Sequence, residues 1–462
     1  STLLASSAAS DVYKRQTEYF DSGVTRDVKF RIEALKRLKK AFEKYEPQII
    51  QALRDDLRKP DLEIYTMEFG YVIEEIKFAI RHLKKWASPK RVPIPLYLQP
   101  AKGYIVKEPY GNVLIIGAFN YPFQLVFVPL IGAIAAGNCA LVKPSKSAVE
   151  SAKVIHKIIE ETFDKNYIRC IMPEEHSSSE LVSAKFDYIF FTGSSKKGAL
   201  VAEAAGKNLV PYTLELGGKS PAIVDKTANL EFAAKKIAWG KFVNAGQTCI
   251  APDFVYVEAD VRAEFVEELK KAIKGFFGPM PQESKDYGRI VNAEAFHRLV
   301  DLIEHDKVIT GGHSDECGLY IEPTVIDADS FDEKVMQDEI FGPILPVLTY
   351  YNIEEVILNL RKRPKPLALY IFSENKKLEW RIIREVSFGG GAVNEVLAHT
   401  VSPYMPFGGV GMSGVGRYHG KYSFDTFTHL KSVLIRNYDK VSGKMYPPYD
   451  FEEVKKLRKF IG

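Results

Sequence analysis

Short apolar runs alternate with longer amphipathic stretches between residues 113 and 216, and this alternation constrains the fold more than any other feature of the chain. The apolar runs are Val113–Ala118, Cys139–Val142, Ile168–Met172, Asp187–Thr192 and Val210–Leu216. Their length and their content of Val and Ile are typical of buried strands, and helical stretches separate them. Strands that alternate with helices form a parallel sheet with crossover helices. We therefore predict a doubly wound α/β domain of the nucleotide-binding type.

A second alternation of the same kind begins after Gly217 and Gly218. Its strand-like runs are Ala222–Asp225, Phe254–Glu258, Ile344–Tyr350 and Leu367–Phe372. This pattern predicts a second doubly wound α/β domain, with the boundary between the two domains near Leu216. A later alternating segment, Phe424–Ile435, follows both domains and is interpreted as a strand of a small β arm that reaches another subunit.

These patterns predict a division of the chain into five parts. Residues 17–88 and 104–216 form the nucleotide-binding domain, and residues 217–420 form the catalytic domain. Residues 89–103 and 421–445 form the oligomerisation arm, and residues 446–462 form a C-terminal tail. Residues 1–16 are expected to lie outside the fold, because Asp11–Gln16 resembles a translated sequencing-adapter scar.

Composition excludes several classes of protein. The chain carries 63 Lys and Arg against 59 Asp and Glu, a net charge of +4. A net charge so close to zero gives no sign of the basic surface that binds nucleic acid. The sequence contains neither an apolar stretch long enough to span a membrane nor a motif typical of metalloproteases, phosphate-binding loops or hydrolase nucleophiles. The 4 cysteines are widely spaced, which argues against both a disulfide framework and a zinc site and favours a reducing compartment such as the cytoplasm.

A candidate phosphate site follows the predicted strand Asp187–Thr192. It comprises Gly193, Ser194, Ser195, Lys196, Lys197 and Gly198. Free backbone N–H groups at the start of the next helix, together with the two serine hydroxyls, are able to bind an anion. The alternative is that Ser194 merely caps the helix. The residues themselves leave both interpretations open.

A second glycine motif at 409–414 matches the dinucleotide fingerprint G-x-G-x-x-G. The fingerprint must follow a strand and open a helix, and this segment does neither. We interpret it as a tight turn with close backbone packing.

Two side chains are candidates for chemistry. Cys249 follows a polar segment that contains Gly246, which is typical of an accessible loop, although a lone cysteine is more often structural. Glu215 ends an apolar strand directly before Gly217, so its carboxylate either meets solvent or has a raised pKa that suits a general base.

Several motifs in the same order resemble those of the aldehyde dehydrogenase superfamily. They are G-A-F-N-Y-P at 117–122, L-E-L-G-G-K at 214–219, G-Q-T-C at 246–249, E-I-F-G-P at 339–343 and P-F-G-G at 406–409. The match runs from about residue 17 to about residue 450. The segment Y-H-G-K-Y-S-F-D-T-F at 418–427 is similar to the class 3 branch, which includes oxidisers of fatty and aromatic aldehydes.

The resemblance implies a role for three catalytic residues. Cys249 would attack the aldehyde, and Asn120 with the Cys249 backbone N–H would hold the developing oxyanion. Glu215 would then activate the water that hydrolyses the thioester. Without the resemblance, Asn120 would be interpreted as a turn residue.

The resemblance also implies an NAD(P)-binding role for the first domain. Lys143 would contact the adenine ribose, residues 193–198 the pyrophosphate, and Glu339 with Phe341 the nicotinamide ribose and ring. The chain departs from the family pattern twice, since Phe119 replaces a tryptophan and Lys146 replaces a glutamate of NAD-selective members. A glutamate there would repel a 2′-phosphate and Lys146 would attract it, so we expect NADP to be accepted at least as well as NAD.

The sequence therefore predicts a homodimeric, metal-free enzyme that oxidises medium- or long-chain aliphatic or aromatic aldehydes to acids. One alternative is a relative that transfers the acyl group to coenzyme A, which a resident base such as Glu215 would oppose. Another is a non-enzymatic scaffold, which the joint presence of Asn120, Glu215 and Cys249 argues against.

Overall fold

The computed structural model describes residues 13–437, 447–449, 451–452, 454–455 and 458. The helices are α1 (13–21), α2 (Val28–Lys44), α3 (Glu46–Leu57), α4 (Asp61–Ile64), α5 (Gly70–Ala87), α6 (Gln124–Ala136), α7 (Val149–Thr162), α8 (Ser178–Ser183), α9 (Ser195–Lys207), α10 (Leu230–Phe242), α11 (Arg262–Phe277), α12 (Ala293–Val300), α13 (Lys334–Gln337), α14 (Ile353–Lys362), α15 (Lys376–Glu385) and α16 (Lys421–Thr426). The strands are β1 (Lys90–Val92), β2 (Ala101–Pro109), β3 (Asn112–Ile116), β4 (Cys139–Lys143), β5 (Ile168–Cys170), β6 (Tyr188–Thr192), β7 (Tyr212–Glu215), β8 (Pro221–Val224), β9 (Phe254–Glu258), β10 (Val308–Thr310), β11 (Ser314–Asp315), β12 (Tyr320–Ile321), β13 (Thr324–Ala328), β14 (Ile344–Tyr350), β15 (Ala368–Phe372), β16 (Gly390–Val393), β17 (Gly414–Val415) and β18 (Thr428–Arg436).

The first sheet has six strands in the order β17-β7-β6-β3-β4-β5. All neighbours are parallel except β17, which is antiparallel to β7. The chain runs from β3 outward to β5 and then returns to β6 on the other side of β3. This doubly wound order creates a crevice at the carboxyl ends of β3 and β6, which is where such sheets bind ligands.

The second sheet has seven strands in the order β10-β13-β14-β9-β8-β15-β16. Only β10 is antiparallel to its neighbour. The prediction of two α/β domains is therefore confirmed. The chain passes from β7 directly into β8 through Gly217 and Gly218, so the carboxyl edge of the first sheet faces the amino edge of the second.

Local sequence explains why these segments become inner strands and crossover helices. Every residue of β3 and of β4 is buried, as expected for parallel strands covered by helices on both faces. Helix α7 is amphipathic, and its Ile155, Ile158 and Ile159 are buried. The Asn229 side chain caps α10 by accepting from the backbone N–H of Phe232. Within the described part of the chain, no helix is both long and apolar enough to cross a bilayer.

The third sheet is the arm, an antiparallel sheet of order β1-β2-β18. Its last strand begins at Thr428, so the prediction of a strand from Phe424 was wrong. Residues 421–426 are helix α16 instead, because buried Ser423 packs against Gly132 of α6 and buried Phe424 packs against Trp86 of α5. The first part of the arm also extends beyond 103, since β2 continues to Pro109. Residues 438–445 of the predicted arm and most of the predicted tail lie outside the described residues.

The expected exclusion of residues 1–16 from the fold is wrong for residues 13–16. These residues begin α1, and the buried Gln16 side chain donates from Nε2 to the carbonyl oxygen of Ala140 at 2.8 Å. The carbonyl oxygen of Tyr13 accepts from the Asn112 amide at 3.2 Å. These bonds satisfy polar groups beside the first sheet, which a pattern of apolar residues does not reveal. Residues 1–12 lie outside the described residues.

The boundary near Leu216 also needs one correction. Strand β17 lies within the predicted catalytic segment 217–420, yet it adds to the first sheet, with Gly414 opposite Glu215. The glycine motif that precedes it is a turn rather than the start of a helix. A Cβ on Gly409 would lie 2.2 Å from the carbonyl oxygen of Ser413, so the turn requires glycine for close backbone packing.

Candidate active site

A cavity of about 1650 Å³ lies where the two sheets face each other. The three predicted catalytic residues, Asn120, Glu215 and Cys249, line it. The predicted cofactor residues that line it are Lys143, Lys146, Gly193, Ser194, Ser195, Lys196, Lys197, Glu339 and Phe341. Gly198 does not line the cavity. It packs against Leu216 instead, where a Cβ would lie 2.6 Å from the Leu216 side chain.

Sheet topology explains this convergence. Lys143 ends β4 and Glu215 ends β7, and Gly193 directly follows β6, so the first sheet contributes through its carboxyl edge. Cys249 precedes β9 and Glu339 precedes β14, so the second sheet contributes through its amino edge. Residues far apart in the chain therefore reach one cleft because parallel strands align their like ends.

The loop that carries Cys249 has an unusual backbone. Asn244, Ala245 and Gly246 have φ values of 51°, 50° and 74°, all in the left-handed region. A Cβ on Gly246 would lie 2.3 Å from the carbonyl oxygen of Gly342, so this glycine lets the loop contact the E-I-F-G-P segment. Gln247 secures the turn through both ends of its side-chain amide, which bond to the backbone of Asn244, Arg289 and Val291.

Cys249 is partly exposed to the cleft, and the structure contains no disulfide on any of the four cysteines. Burial raises the pKa of its thiol to about 12, and the nearby carboxyls of Glu339 and Glu215 act in the same direction. The backbone N–H groups of Cys249 and Ile250 beside the sulfur oppose this rise. The thiol is therefore neutral at physiological pH and needs a base, or a developing positive charge nearby, to attack a carbonyl.

Glu215 is 3% exposed, and neither carboxylate oxygen has a hydrogen-bond partner within the described residues. Burial raises the pKa of this carboxyl well above its usual value. An unpartnered buried carboxyl is costly to the fold, and such a cost is typical of a group retained for chemistry. The sequence-based alternative of a solvent-facing carboxylate is thereby excluded.

Asn120 is buried, and its side-chain amide makes no hydrogen bond within the described residues. Its backbone carbonyl oxygen, by contrast, accepts two bonds. Lys59 Nζ donates to it at 2.7 Å, and the Asn244 side-chain amide donates to it at 2.9 Å. The peptide is fixed while the amide remains free to donate into the cleft.

Helix α9 presents its first turn to the cleft at the candidate phosphate site. Ser194 is the N-cap and accepts from the backbone N–H of Lys197, while Ser195 donates from its hydroxyl to the carbonyl oxygen of Met412 at 3.0 Å. The capping role and the anion-binding geometry are thus both present, because a capped α-helix still has free N–H groups in its first turn. A Cβ on Gly193 would lie 2.7 Å from the Phe191 ring, which explains the glycine.

Three lysines face the same end of the cleft. The pKa of buried Lys143 is lowered, first by desolvation and then by the positive charges of Lys146 and Lys197, which Glu174 partly opposes. Positive charges that lie close together repel one another unless an anion binds between them. The arrangement therefore fits a phosphate group.

The Glu339 carboxylate packs closely against Gly217 and Gly218. The backbone N–H of Gly218 stabilises its carboxylate, and a Cβ on Gly217 would lie 1.9 Å from Oε2. Burial and then Asp253 raise the pKa of Glu339 to about 8. Phe341 has a φ of 50°, and its ring meets that of Phe119 edge-on at 5.8 Å. These residues suit a nicotinamide riboside, with the pair of rings as an apolar wall.

Sequence reasoning missed the buried residues behind the cleft. Lys59 and Glu68 form an ion pair with both side chains fully buried. Lys219 pairs with Asp253 at 2.7 Å and also donates to the carbonyl oxygen of Asp338, next to Glu339. Lys59 follows several charged residues of α3, and nothing in that pattern distinguishes it from an exposed lysine. Among the described residues, no group of His, Cys, Asp and Glu side chains is arranged to hold a metal ion.

The fold and this cleft define a class of protein. Two mostly parallel sheets enclose a cleft in which a cysteine, a buried carboxyl and an asparagine amide converge, and this combination is typical of a cofactor-dependent oxidoreductase. The chain belongs to the aldehyde dehydrogenase family, whose model matches residues 6–433.

Individual relatives agree with this assignment. A 4,4′-diaponeurosporen-aldehyde dehydrogenase of Staphylococcus aureus is 52% identical over 93% of this chain and 94% of its own length. The mouse dimeric NADP-preferring aldehyde dehydrogenase is 43% identical over 95% of this chain and 97% of its own length. A substrate-bound Staphylococcus aureus AldH structure superposes with a TM-score of 0.96 at 50% identity, and covers 98% of this chain and 99% of its own. The predicted enzyme class, an NAD(P)-dependent aldehyde dehydrogenase of the class 3 type, is confirmed.

Proposed function

We propose that this enzyme oxidises medium- to long-chain aliphatic or aromatic aldehydes to carboxylic acids, using NADP at least as well as NAD. One observation carries the proposal: the Cys249 thiol, the free Asn120 amide and the unpartnered Glu215 carboxyl line the same cleft. Cys249 and Asn120 act together in the attack on the aldehyde, and Glu215 acts in the hydrolysis that follows.

The first step is attack of the Cys249 sulfur on the aldehyde carbon, in which the thiol loses its proton to water and a carbon–sulfur bond replaces the carbonyl π bond. The carbonyl oxygen becomes an oxyanion, and the Asn120 side-chain amide and the Cys249 backbone N–H donate to it. A donor of this kind stabilises the transition state by about 3–4 kcal/mol. The resulting thiohemiacetal divides one difficult oxidation into two easier steps.

Hydride loss then converts the thiohemiacetal to a thioester on Cys249. Bound NAD(P)+ supplies the hydride acceptor. We infer that Glu339 and Phe341 orient its nicotinamide end, and that Lys143, Lys146 and the first turn of α9 with Lys196 and Lys197 hold its adenine end. Two observations support this arrangement: Glu339 packs closely against Gly217, and Lys143, Lys146 and Lys197 lie near one another in the cleft.

Hydrolysis of the thioester needs an activated water. Glu215 is the candidate base, because its carboxyl has no hydrogen-bond partner among the described residues. Its raised pKa also makes it a better acceptor of a proton from water. A general base contributes roughly 10²–10⁴-fold to such a step. Its presence also disfavours acyl transfer to coenzyme A, since water would cleave the thioester first.

Apolar side chains of the cleft, among them Phe119 and Leu125, support an apolar substrate. The Tyr121 hydroxyl bonds to Thr248 at 2.7 Å, and the Tyr370 hydroxyl donates to the carbonyl oxygen of Ile250 at 2.6 Å, on either side of Cys249. Tyr370 is fully buried and Tyr121 is 7% exposed, so these two rings pack behind the Cys249 loop and do not line the cleft. The diaponeurosporen-aldehyde relative acts, by its name, on a long apolar aldehyde.

We also propose a homodimer assembled through the arm. Strand β18 is an edge strand. Its Leu430 and Leu434 lie on one face and are 56% and 50% exposed. A long open edge with exposed leucines is a liability for a monomer and suits a second copy of the chain. The mouse relative is named dimeric.

A pre-steady-state experiment tests the catalytic proposal. Mixing the enzyme with hexanal and NADP should give a burst of reduced cofactor and free hexanoic acid as product. Cys249→Ala should abolish the burst, whereas the control Cys317→Ala, at an exposed loop cysteine, should retain it. Coenzyme A added to the assay should not increase turnover. A full burst in Cys249→Ala, or an acyl-coenzyme A product, contradicts the proposal.

A further inference from the structure

A fully buried ion pair lies directly behind the proposed oxyanion site. Lys59 Nζ is 2.8 Å from Glu68 Oε1, and neither side chain is exposed. The same ammonium donates to the carbonyl oxygen of Asn120 at 2.7 Å and lies 3.9 Å from the centre of the Tyr121 ring. The Lys59 ammonium therefore has three partners, and two of them, Asn120 and Tyr121, are consecutive residues beside the cleft.

Glu68 holds the other end of that segment. Its second oxygen, Oε2, accepts from the backbone N–H of Gln124 at 2.9 Å, at the start of α6. Glu68 lies in a π-helical turn, Tyr65–Phe69, and turns of this kind are frequent at functional sites. The ion pair therefore contacts both Asn120 and the residue four positions later.

A second set of bonds connects the Asn120 segment to the loop of Cys249. The Asn244 side-chain amide donates to the Asn120 carbonyl oxygen at 2.9 Å, and the Asn244 backbone N–H donates to Glu63 at 3.0 Å. The hydroxyls of Tyr121 and Thr248 bond at 2.7 Å. Lys59 and Asn244 consequently share one acceptor, and that acceptor belongs to the residue whose amide faces the cleft.

Stability alone does not account for a buried ion pair, because well-packed apolar side chains of similar volume commonly replace such a pair without loss of stability. A pair of this kind is better suited to fixing one geometry. The Asn120 carbonyl has two charged or polar donors that determine the plane of its peptide, and the peptide plane in turn limits the directions open to the side-chain amide.

We propose that Lys59, held by Glu68, is a positioning residue of the aldehyde-oxidising reaction. It fixes the Asn120 peptide so that the Asn120 amide donates to the oxyanion that forms when Cys249 attacks. Lys59 itself touches neither substrate nor cofactor. This inference rests on the proposed role of Asn120, and it adds a residue from the N-terminal helical region to the catalytic apparatus.

The test is a double-mutant cycle measured on the burst of reduced cofactor. Lys59→Met with Glu68→Gln removes both charges together and leaves no unpaired buried ion. We expect the burst rate constant to fall about 10- to 100-fold, as misplacement of a catalytic group does. The dissociation constant for NADP should stay unchanged. In an Asn120→Ala background, the same pair of substitutions should cause no further fall.

Each outcome of the cycle has one meaning. Falls that multiply in the Asn120→Ala background, or an unchanged burst in the first variant, overturn the positioning role. An unchanged burst in Asn120→Ala alone contradicts the proposed function of Asn120 instead, so the two failures are distinguishable. The control Lys107→Met with Asp425→Asn removes an ion pair at the arm and should leave the burst unchanged.

A second variant keeps the test decisive if the first does not fold. Asn244→Ala removes the other donor to the same carbonyl oxygen and leaves the ion pair intact. We expect a fall of about 3- to 10-fold in the burst rate constant, which also disappears in the Asn120→Ala background. Independent, multiplying effects of Asn244→Ala and Asn120→Ala would show that the shared acceptor has no role in orienting the amide.

Discussion

Two carboxyls in the cleft have pKa values raised by burial, but their surroundings differ. Glu339 has the Gly218 N–H and the charges of two lysines to stabilise its ionised form, whereas no group offsets the burial of Glu215. Burial therefore makes the Glu215 carboxylate a stronger proton acceptor than an exposed carboxylate. This difference supports the proposed roles, in which Glu339 binds the cofactor and Glu215 transfers a proton.

Glu215 should reduce stability at alkaline pH. Its folded pKa is raised above the ordinary value of 4.5, so its favourable contribution is complete below pH 4.5 and is lost as pH rises towards the folded pKa. We expect Glu215→Gln to unfold in urea with a free energy about 1–3 kcal/mol above wild type at pH 8.5. The gap should shrink at pH 5.5, and a gap independent of pH would contradict the assigned burial.

The same substitution should separate the two halves of the reaction. Since Glu215 acts only on the thioester, Glu215→Gln should retain the burst of reduced cofactor while its steady-state rate falls roughly 10²–10⁴-fold.

Lys146 should set the preference between the two cofactors. Its ammonium faces Lys143 at the adenine end of the cleft, where a 2′-phosphate would relieve their repulsion. We expect Lys146→Glu to lower the ratio of kcat/KM for NADP to that for NAD by at least about tenfold, which corresponds to roughly 1.4 kcal/mol. Steady-state kinetics with both cofactors measure the ratio. Lys235→Glu, on the exposed side of α10, is the control, and an equal effect there would reject a local role for Lys146.

At the scale of a single element, the turn before Cys249 has a strained backbone next to the candidate nucleophile. Asn244 and Ala245 store backbone energy in the left-handed region, which Gly246 adopts without strain, and the bonds of Gln247 retain the turn. Its contact with Gly342 brings the nucleophile loop and the Glu339 segment together. The element thus couples the position of the sulfur to that of the proposed cofactor ligand.

Gly246→Ala should destabilise the protein by about 2–4 kcal/mol, because a side chain there meets both a positive φ and a carbonyl oxygen at 2.3 Å. Chemical denaturation measures the loss, and the KM for NADP should rise as the Glu339 segment shifts. Gly275→Ala in α11 is the matched control. Nothing lies within 4 Å of its added Cβ, so it should stabilise by up to about 1 kcal/mol. Equal effects at the two glycines would contradict the close contact.

The whole molecule is organised by two sheets and an arm. The passage from β7 to β8 sets opposite edges of the sheets against each other, and the cleft is the space between them. The arm lies outside both sheets and pairs only with itself within the described residues. In the dimer that we propose, assembly therefore uses a surface separate from the cleft.

Leu430→Glu with Leu434→Glu should convert the dimer to a monomer, since two carboxylates cannot be buried unpaired in an interface. Sedimentation velocity should then give the mass of one chain. The control Lys431→Gln, on the opposite face of β18, should remain dimeric. A double variant that still sediments as a dimer would place the interface elsewhere.

Much of this protein could be predicted from local patterns. Both α/β sheets follow from the alternation of apolar runs and amphipathic helices, and the family motifs identify the residues that line the cleft. The errors lie at short polar or mixed segments. Residues 424–426 were predicted to begin a strand yet belong to a helix, and residues 13–16 look foreign yet pack beside the first sheet.

The amino-acid sequence by itself determined the strands, the helices, the enzyme family and the chemically reactive groups, because these depend on period, composition and local motif. Only the tertiary structure decided the state of those groups. Whether Glu215 is unpartnered, whether Gly198 reaches the cleft, and whether Lys59 contacts Asn120 depend on burial and distance between residues far apart in the chain. Such contacts arise from the packing of strands whose order in space differs from their order in sequence, and no local pattern carries that information.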